Sequence, residues 1–343
     1  MVGIDISFIT LGKEKQKMKK CMALPFITHP GIELIGKTVK DAVSDGKIQY
    51  EAMKAVSDEF DTSGCTAIMD LTVEAEAFGA EISMPQDEIP TVKGRLLKSA
   101  ADVEKLSVPD LGQGRLKEFL KANKLAVENI TAKPVFSGCI GPFSLAGRLY
   151  NMSEIMISIY TEPETILLLL SKCTEFLIRY CTELKKTGTA GVVMAEPAAG
   201  LLSDEDCNMY SSDFVKKIVN AVQDDDFTVI LHNCGNMGQC THAMIASGAN
   251  ALHFGNAVNM VEVLQECPSN KIVMGNIDPV RVFKQSDPNT VQEVTAHLLE
   301  RTKNYANFVI SSGCDIPPHT PLENIRAFFE AVARYNDKIM GSC

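Results

Sequence analysis

Short apolar, β-branched runs alternate along the chain with longer segments whose apolar residues recur every three or four positions. The runs predict strands over 23–28, 65–70, 134–140, 191–196, 228–233, 251–254, 271–277 and 308–312. The longer periodicity predicts helices over 50–60, 116–129, 162–186, 204–222, 260–266, 291–305 and 322–335. Two helix starts carry signals of their own. Thr161 stands as N-cap before Pro163, with Glu164 placed to close a capping box. Ser203 precedes "DEDC", acids in a first turn where the helix dipole favours negative charge. Strands alternating with helices imply parallel strands and right-handed crossovers. Eight such units fit an α/β fold of the (β/α)8 barrel type better than an open sheet. No linker, low-complexity segment or short repeat divides the 343 residues. The chain therefore reads as one barrel domain over 1–343, with 1–21 as an N-terminal extension.

Composition removes several classes of function. Hydrophobic residues make up 45% and charged residues 22%, as in a globular protein. The net charge is -10, from 33 basic and 43 acidic side chains, which argues against a nucleic-acid surface. The apolar run 166–170 is broken by Ser171 and Lys172, far short of a membrane span. "KEKQKMKKC", 13–21, reads as a charged helical patch with no secretory apolar core after it. Eleven cysteines, an odd number scattered through a long chain, suit a reducing cytoplasm better than a disulfide framework.

In a barrel the chemistry stands at the carboxyl ends of the strands, and the unusual residues of this chain fall there. The second strand ends on Asp70, followed by Glu74. The third runs into "GCIGPFSLAGR" with Arg148, and the fourth ends "MAEPAAG" with Glu196 at the rim. The fifth ends "LHNCGN", the seventh on "GNID" with Asn276 and Asp278, and the eighth on "SSGCDIPPHTP" with Cys314 and His319. His232 and Cys234 are two residues apart, so in an extended strand they point the same way. A catalytic zinc site uses three nitrogen or sulfur ligands with one position open, and Cys314, at another strand end, supplies the third. Taken alone, His-x-Cys also describes a hydrogen-bonded core histidine beside a buried cysteine. Cys240 is a rival ligand, although "GQCTHAMIASGA" reads as the start of a helix. His242 and His253 read as structural histidines, and the remaining cysteines as core or surface fillers. Glu196 is an alternative zinc ligand or a carboxylate behind one.

Two cysteines and a histidine carry two negative charges, which cancel those of a zinc ion. A substrate thiol, with a free pKa of about 8.5, is deprotonated on coordination yet keeps much of its electron density. Three histidines would leave the metal more electrophilic and suit water activation. This ligand set thus favours alkylation of a thiol over hydrolysis.

The stretches "MDLTVEAEAFGAEI", "CIGPFSLAGRL", "ILHNCGN", "VMGNIDPVRVF" and "SSGCDIPPHTPLENIRAF" resemble the uroporphyrinogen decarboxylase superfamily, and within it the methylcobamide:coenzyme M methyltransferase branch. The resemblance covers about residues 60–337 and implies the same barrel. It implies zinc on His232, Cys234 and Cys314, a methylcobamide carried by a corrinoid partner protein, and methyl transfer to a small zinc-bound thiol. The sequence departs from true decarboxylases near the first strand. They carry an arginine-rich stretch for substrate carboxylates, whereas "MALPFITHPGIELIG" has no arginine, so decarboxylation is not expected. The His-x-Cys…Cys set also resembles cobalamin-independent methionine synthase, which makes homocysteine a rival thiol; a pterin is a further alternative acceptor, and a non-catalytic barrel without metal is the alternative of a different class. For the enzyme, Glu196 and Asp70 are the candidate catalytic carboxylates. Glu74, Asn276, Asp278 and His319 are candidate substrate contacts. A sulfonated thiol needs a cation or backbone amides: Arg148 is the candidate cation, and the amides of Gly141 and of the 313–315 turn are the candidate donors.

Overall fold

The computed structural model describes residues 20–341. The patch over 13–21, apart from its last two residues, and the terminal Cys343 lie outside them. Seven strands form one parallel sheet: β1 (Cys65–Thr66), then, past a small antiparallel hairpin of β2 (Ile82–Ser83) and β3 (Thr91–Val92), β4 (Val135–Ile140), β5 (Gly191–Ala195), β6 (Thr228–Asn233), β7 (Ala251–Phe254), β8 (Ile272–Ile277) and β9 (Phe308–Ser312). The segment after Cys21 supplies the eighth position. Ala23 bridges Ile310 in parallel, with Leu24 N–H donating to Ile310 O at 2.9 Å and Ile310 N–H to Met22 O at 3.1 Å. On its other side Ser63 N–H donates to Ala23 O at 2.8 Å. The sheet thus curls into the single-domain (β/α)8 barrel.

The strands from β4 onward match the expected ones within a residue or so, whereas the first two are cut short. Pro25 has no N–H to offer the second strand, and Phe26 N–H goes to the Ser312 hydroxyl at 3.0 Å rather than to a ladder carbonyl. By Thr28 the chain has entered the helix Thr28–Leu34.

Two helix expectations need correction. Thr161 does not cap the long helix. Ile155 and Ile159 are buried and extend a preceding helix, Met152–Thr161, so Thr161 lies in its last turn. The following helix, Pro163–Lys186, is capped by Glu162 without a side-chain bond. The helix expected over 204–222 begins on Ser203 as read, with the side chain accepting from Asp206 N–H. It is then interrupted by a wide π turn, Asn208–Ser212, before resuming as Asp213–Val222. No described helix is long and apolar enough to cross a membrane.

The strands' two-residue alternation separates two cores. Leu24, Phe136, Val193, Ile230 and Val309 pack together inside the barrel, while the intervening residues pack outward against the helices in a larger cluster. Following this parity up the strands, Ile230 is succeeded by His232, Ala251 by His253 and Val309 by Ser311. The barrel's upper interior is therefore polar.

Candidate metal centre

His232, Cys234 and Cys314 converge at the carboxyl end of the barrel. Among the described residues they form the one group of three histidine, cysteine or acidic side chains whose ligand atoms all lie within 4.8 Å of one another. His232 Nε2 is 3.7 Å from Cys314 Sγ. Zinc–sulfur and zinc–nitrogen bonds of about 2.3 and 2.0–2.1 Å at a tetrahedral angle would separate the two ligand atoms by about 3.6 Å. The donor set and its spacing fit zinc. The thiols also act on each other: a hydrogen bond between them holds Cys234 below the usual thiol range and, with burial, pushes Cys314 well above it. Only thiolates ligate a divalent ion, so zinc binding would release the protons of both groups. Gly255 lets the next loop lie against the Cys234 backbone, since a Cβ there would meet Cys234 Cα and O at 2.8 Å.

Two groups beside the trio escaped the sequence reading. His253, read as structural, lies opposite His232 in the β6–β7 register, and their Nδ1 atoms are 2.8 Å apart. Burial, then the neighbouring His232, pushes its pKa well below the usual histidine range. Asp315, next to Cys314, accepts from Thr28 N–H at 3.1 Å and from the Thr28 hydroxyl, with His29 Nε2 3.6 Å away. Burial raises its pKa.

The three acids proposed for the mouth have other partners. Glu196, expected nearest the metal, is corrected to a helix-capping role. Its Oε1 accepts from Phe143 N–H at 2.7 Å and the Ser211 hydroxyl at 2.9 Å, and its Oε2 accepts from Ser144 N–H at 2.9 Å. It thereby caps the helix Pro142–Tyr150, which has no side-chain cap of its own. Strand parity was the available signal: Val193 and Ala195 face one way, so Glu196 faces the other. Gly141 makes room, because a Cβ there would come within 2.4 Å of Glu196 Oε2. Burial lifts the Glu196 pKa against these hydrogen bonds.

Asp70 accepts from Thr72 N–H at 3.0 Å and from the Thr72 hydroxyl, and it is ion-paired with buried Arg115. Arg115 also holds Glu76 at 2.7 Å, and sequence reasoning missed it because it enters from a loop 45 residues away. Glu74 accepts from Ile140 N–H at 3.0 Å while its Oε2 has no partner, and burial lifts its pKa to about 7.

The proposed substrate contacts divide in a similar way. Arg148 lines a cleft of about 420 Å³ with Leu71, Ser144, Asn151, Pro197 and Leu201. Its guanidinium has no hydrogen bond or ion pair among the described residues, and burial lowers its pKa. Asn276 donates to Gly255 O and Val258 O, both at 2.8 Å. Asp278 caps the turn Pro279–Lys284 and accepts from Asn256 at 3.0 Å. His319 lies on the surface, its side chain 76% exposed and its Nδ1 3.2 Å from Glu33. The amides of Gly141 and Gly313, expected as anion donors, already donate to Ala195 O and Ile277 O.

A model of the family described as uroporphyrinogen decarboxylase (URO-D) matches residues 25–335. The methylcobamide:CoM methyltransferase MtbA of Methanosarcina acetivorans is 29% identical over 270 residues, 78% of this chain and 78% of its own. A uroporphyrinogen decarboxylase of Prochlorococcus marinus (strain NATL1A) is 26% identical over 303 residues, 85% of this chain and 84% of its own. Among solved structures, a methyltransferase from Methanosarcina mazei superposes with a TM-score of 0.83 over 92% of this chain and 93% of that one, at 22% identity. A B12-independent methionine synthase from Shewanella sp. W3-18-1 reaches 0.60 over 94% and 97%, at 13% identity. At such identities the structural likeness speaks for the fold.

Proposed function

The chain belongs to the uroporphyrinogen decarboxylase family, and from that premise we propose that it is a zinc-dependent methyltransferase. It moves a methyl group from a methyl-corrinoid carried by a partner protein to a small anionic thiol, coenzyme M or a close analogue. The observation that carries this reading is the convergence of His232, Cys234 and Cys314. The relative whose name specifies methylcobamide and CoM supports the donor and the acceptor.

Zinc held by these three residues would supply the acidity that makes a coordinating thiol a thiolate at neutral pH. The charges belong to the chain: Cys234 and Cys314 as thiolates neutralise a divalent ion, so a third sulfur retains the electron density a nucleophile needs. Glu196 anchors the helix Pro142–Tyr150 over the mouth, and Arg148 projects from that helix into the cleft.

The state of the acids favours an anionic thiol over homocysteine. An ammonium group needs a free carboxylate, yet Asp70 is paired with Arg115 and both Asp278 oxygens accept hydrogen bonds. The open oxygen of Glu74 is buried. A decarboxylase reading lacks the cations that a polycarboxylate requires, since the first-strand stretch has no arginine.

With methylcobalamin as donor, coenzyme M should be the preferred acceptor. Arg148→Ala should raise its KM about 10- to 100-fold, the loss of a charge-assisted hydrogen bond worth roughly 1.5–3 kcal/mol. The kcat should change much less. Strong preference for homocysteine would overturn the choice of thiol, and an unaltered KM would remove Arg148 as the anchor.

A further inference from the structure

A buried chain of hydrogen bonds runs from the metal site across the barrel interior to the first strand segment. His232 Nδ1 is 2.8 Å from His253 Nδ1, His253 Nε2 is 2.9 Å from Ser311 Oγ, and Ser311 Oγ is 2.7 Å from Leu24 O. The proton positions follow from the last link. A carbonyl only accepts, so the single Ser311 proton lies toward Leu24 O. Ser311 Oγ can then only accept from His253, which places a proton on His253 Nε2. The His253 ring is fully buried and stacked on Phe26 at 4.3 Å, and among the described residues its ring nitrogens pair with His232 and Ser311, neither of them acidic. A neutral ring with its proton on Nε2 presents a lone pair at Nδ1. His232 must therefore donate from Nδ1, which leaves its Nε2 bare on the side facing Cys314.

We propose that His253 is a positioning residue which, through Ser311 and the Leu24 carbonyl, locks His232 in the Nδ1–H tautomer and aims its Nε2 lone pair at the metal. This deepens the zinc reading and rests on it. The relay ends on a neutral carbonyl, where many metal-bound histidines are backed by a carboxylate. His232 thus stays a neutral ligand, and the charge of the protein's ligand set resides on the two cysteines. The chain depends on strand register: β6 and β7 set the two histidines side by side, while Ser311 reaches His253 from β9.

Two readouts test this without assaying catalysis. Nitrogen-15 NMR of the metal-free wild type should show His232 protonated on Nδ1, and Ser311→Ala should mix its tautomers. Zinc affinity, measured by competition with a chromophoric chelator, should fall about 10- to 100-fold in His253→Leu. His253→Gln, which keeps an acceptor and a donor, should recover most of that loss. Circular dichroism confirms that each variant is folded. His232 protonated on Nε2 in the wild type would overturn the proposal. So would affinity within about twofold of wild type in His253→Leu, or equal losses in the leucine and glutamine variants, set against the usual cost of such changes. A wild type that binds no zinc would sink the metal reading instead, and the NMR measurement would still decide the relay.

Discussion

Replacing Cys314 by serine should leave a folded barrel that no longer holds zinc. The wild type should carry about one zinc per chain, because three ligands with an open position make a single site. Serine keeps nearly the volume of cysteine but is not a thiolate at neutral pH, so His232 and Cys234 remain as a two-ligand remnant. If a complete structural site is worth roughly 10–16 kcal/mol, one of its ligands represents about 3–5 kcal/mol, or an affinity loss of about 10²- to 10⁴-fold. Methyl transfer to a thiol should fall at least in proportion. Cys234→Ser should behave alike. Cys240→Ser is the control: the Cys240 thiol is buried against Ala199 O and Leu202 O, 3.5 Å from each, and should be dispensable for metal. Elemental analysis of protein purified without chelator measures all three. Full zinc in Cys314→Ser would overturn the ligand assignment.

The largest loss of stability should come from a residue with no part in metal binding. Arg115 is buried and joins three parts of the chain: Nε to Glu76 at 2.7 Å, one terminal nitrogen to Asp70 and to Val43 O, and the other to Thr72 Oγ1 at 3.0 Å. Arg115→Ala strands the Asp70 carboxylate, whose side chain is 1% exposed. Removing one partner of such a pair typically costs about 3–5 kcal/mol, most of it the penalty on the charge left behind. Urea denaturation should show that loss. Adding Asp70→Asn to Arg115→Ala should recover part of it by discharging the stranded group. Arg115→Lys should not, because a single ammonium cannot reach Asp70, Glu76 and Thr72 together. Wild-type stability in Arg115→Ala would show that the pair contributes nothing net.

What the sequence made legible followed from local periodicity. The apolar runs from β4 onward end where the strands end, and the spacing of His232 and Cys234 on one strand face is a two-residue relation that needs no tertiary knowledge. Cys314 was readable because it follows a strand that must border the same mouth. Relations that depend on register between distant strands were not readable. His253 sits 21 residues from His232, and only the observed β6–β7 pairing brings their rings together. The Asp70–Arg115 pair spans a loop with no periodic signal. Glu196 is a different case. Its rim position was right, but strand parity, already used for His232 and Cys234, turns its carboxylate away from the barrel axis toward Phe143 and Ser144. The π turn in the helix expected over 204–222 has no hydrophobic signature either; Ser211, within it, reaches Glu196.

Zinc K-edge X-ray absorption on the purified protein, with and without coenzyme M, tests the proposed chemistry most directly. A zinc thiol-methyltransferase built on His232, Cys234 and Cys314 should show two sulfur scatterers and one imidazole before the thiol is added, and three sulfurs with one imidazole afterwards. Protein without zinc, or a sulfur count unchanged by coenzyme M, would contradict it.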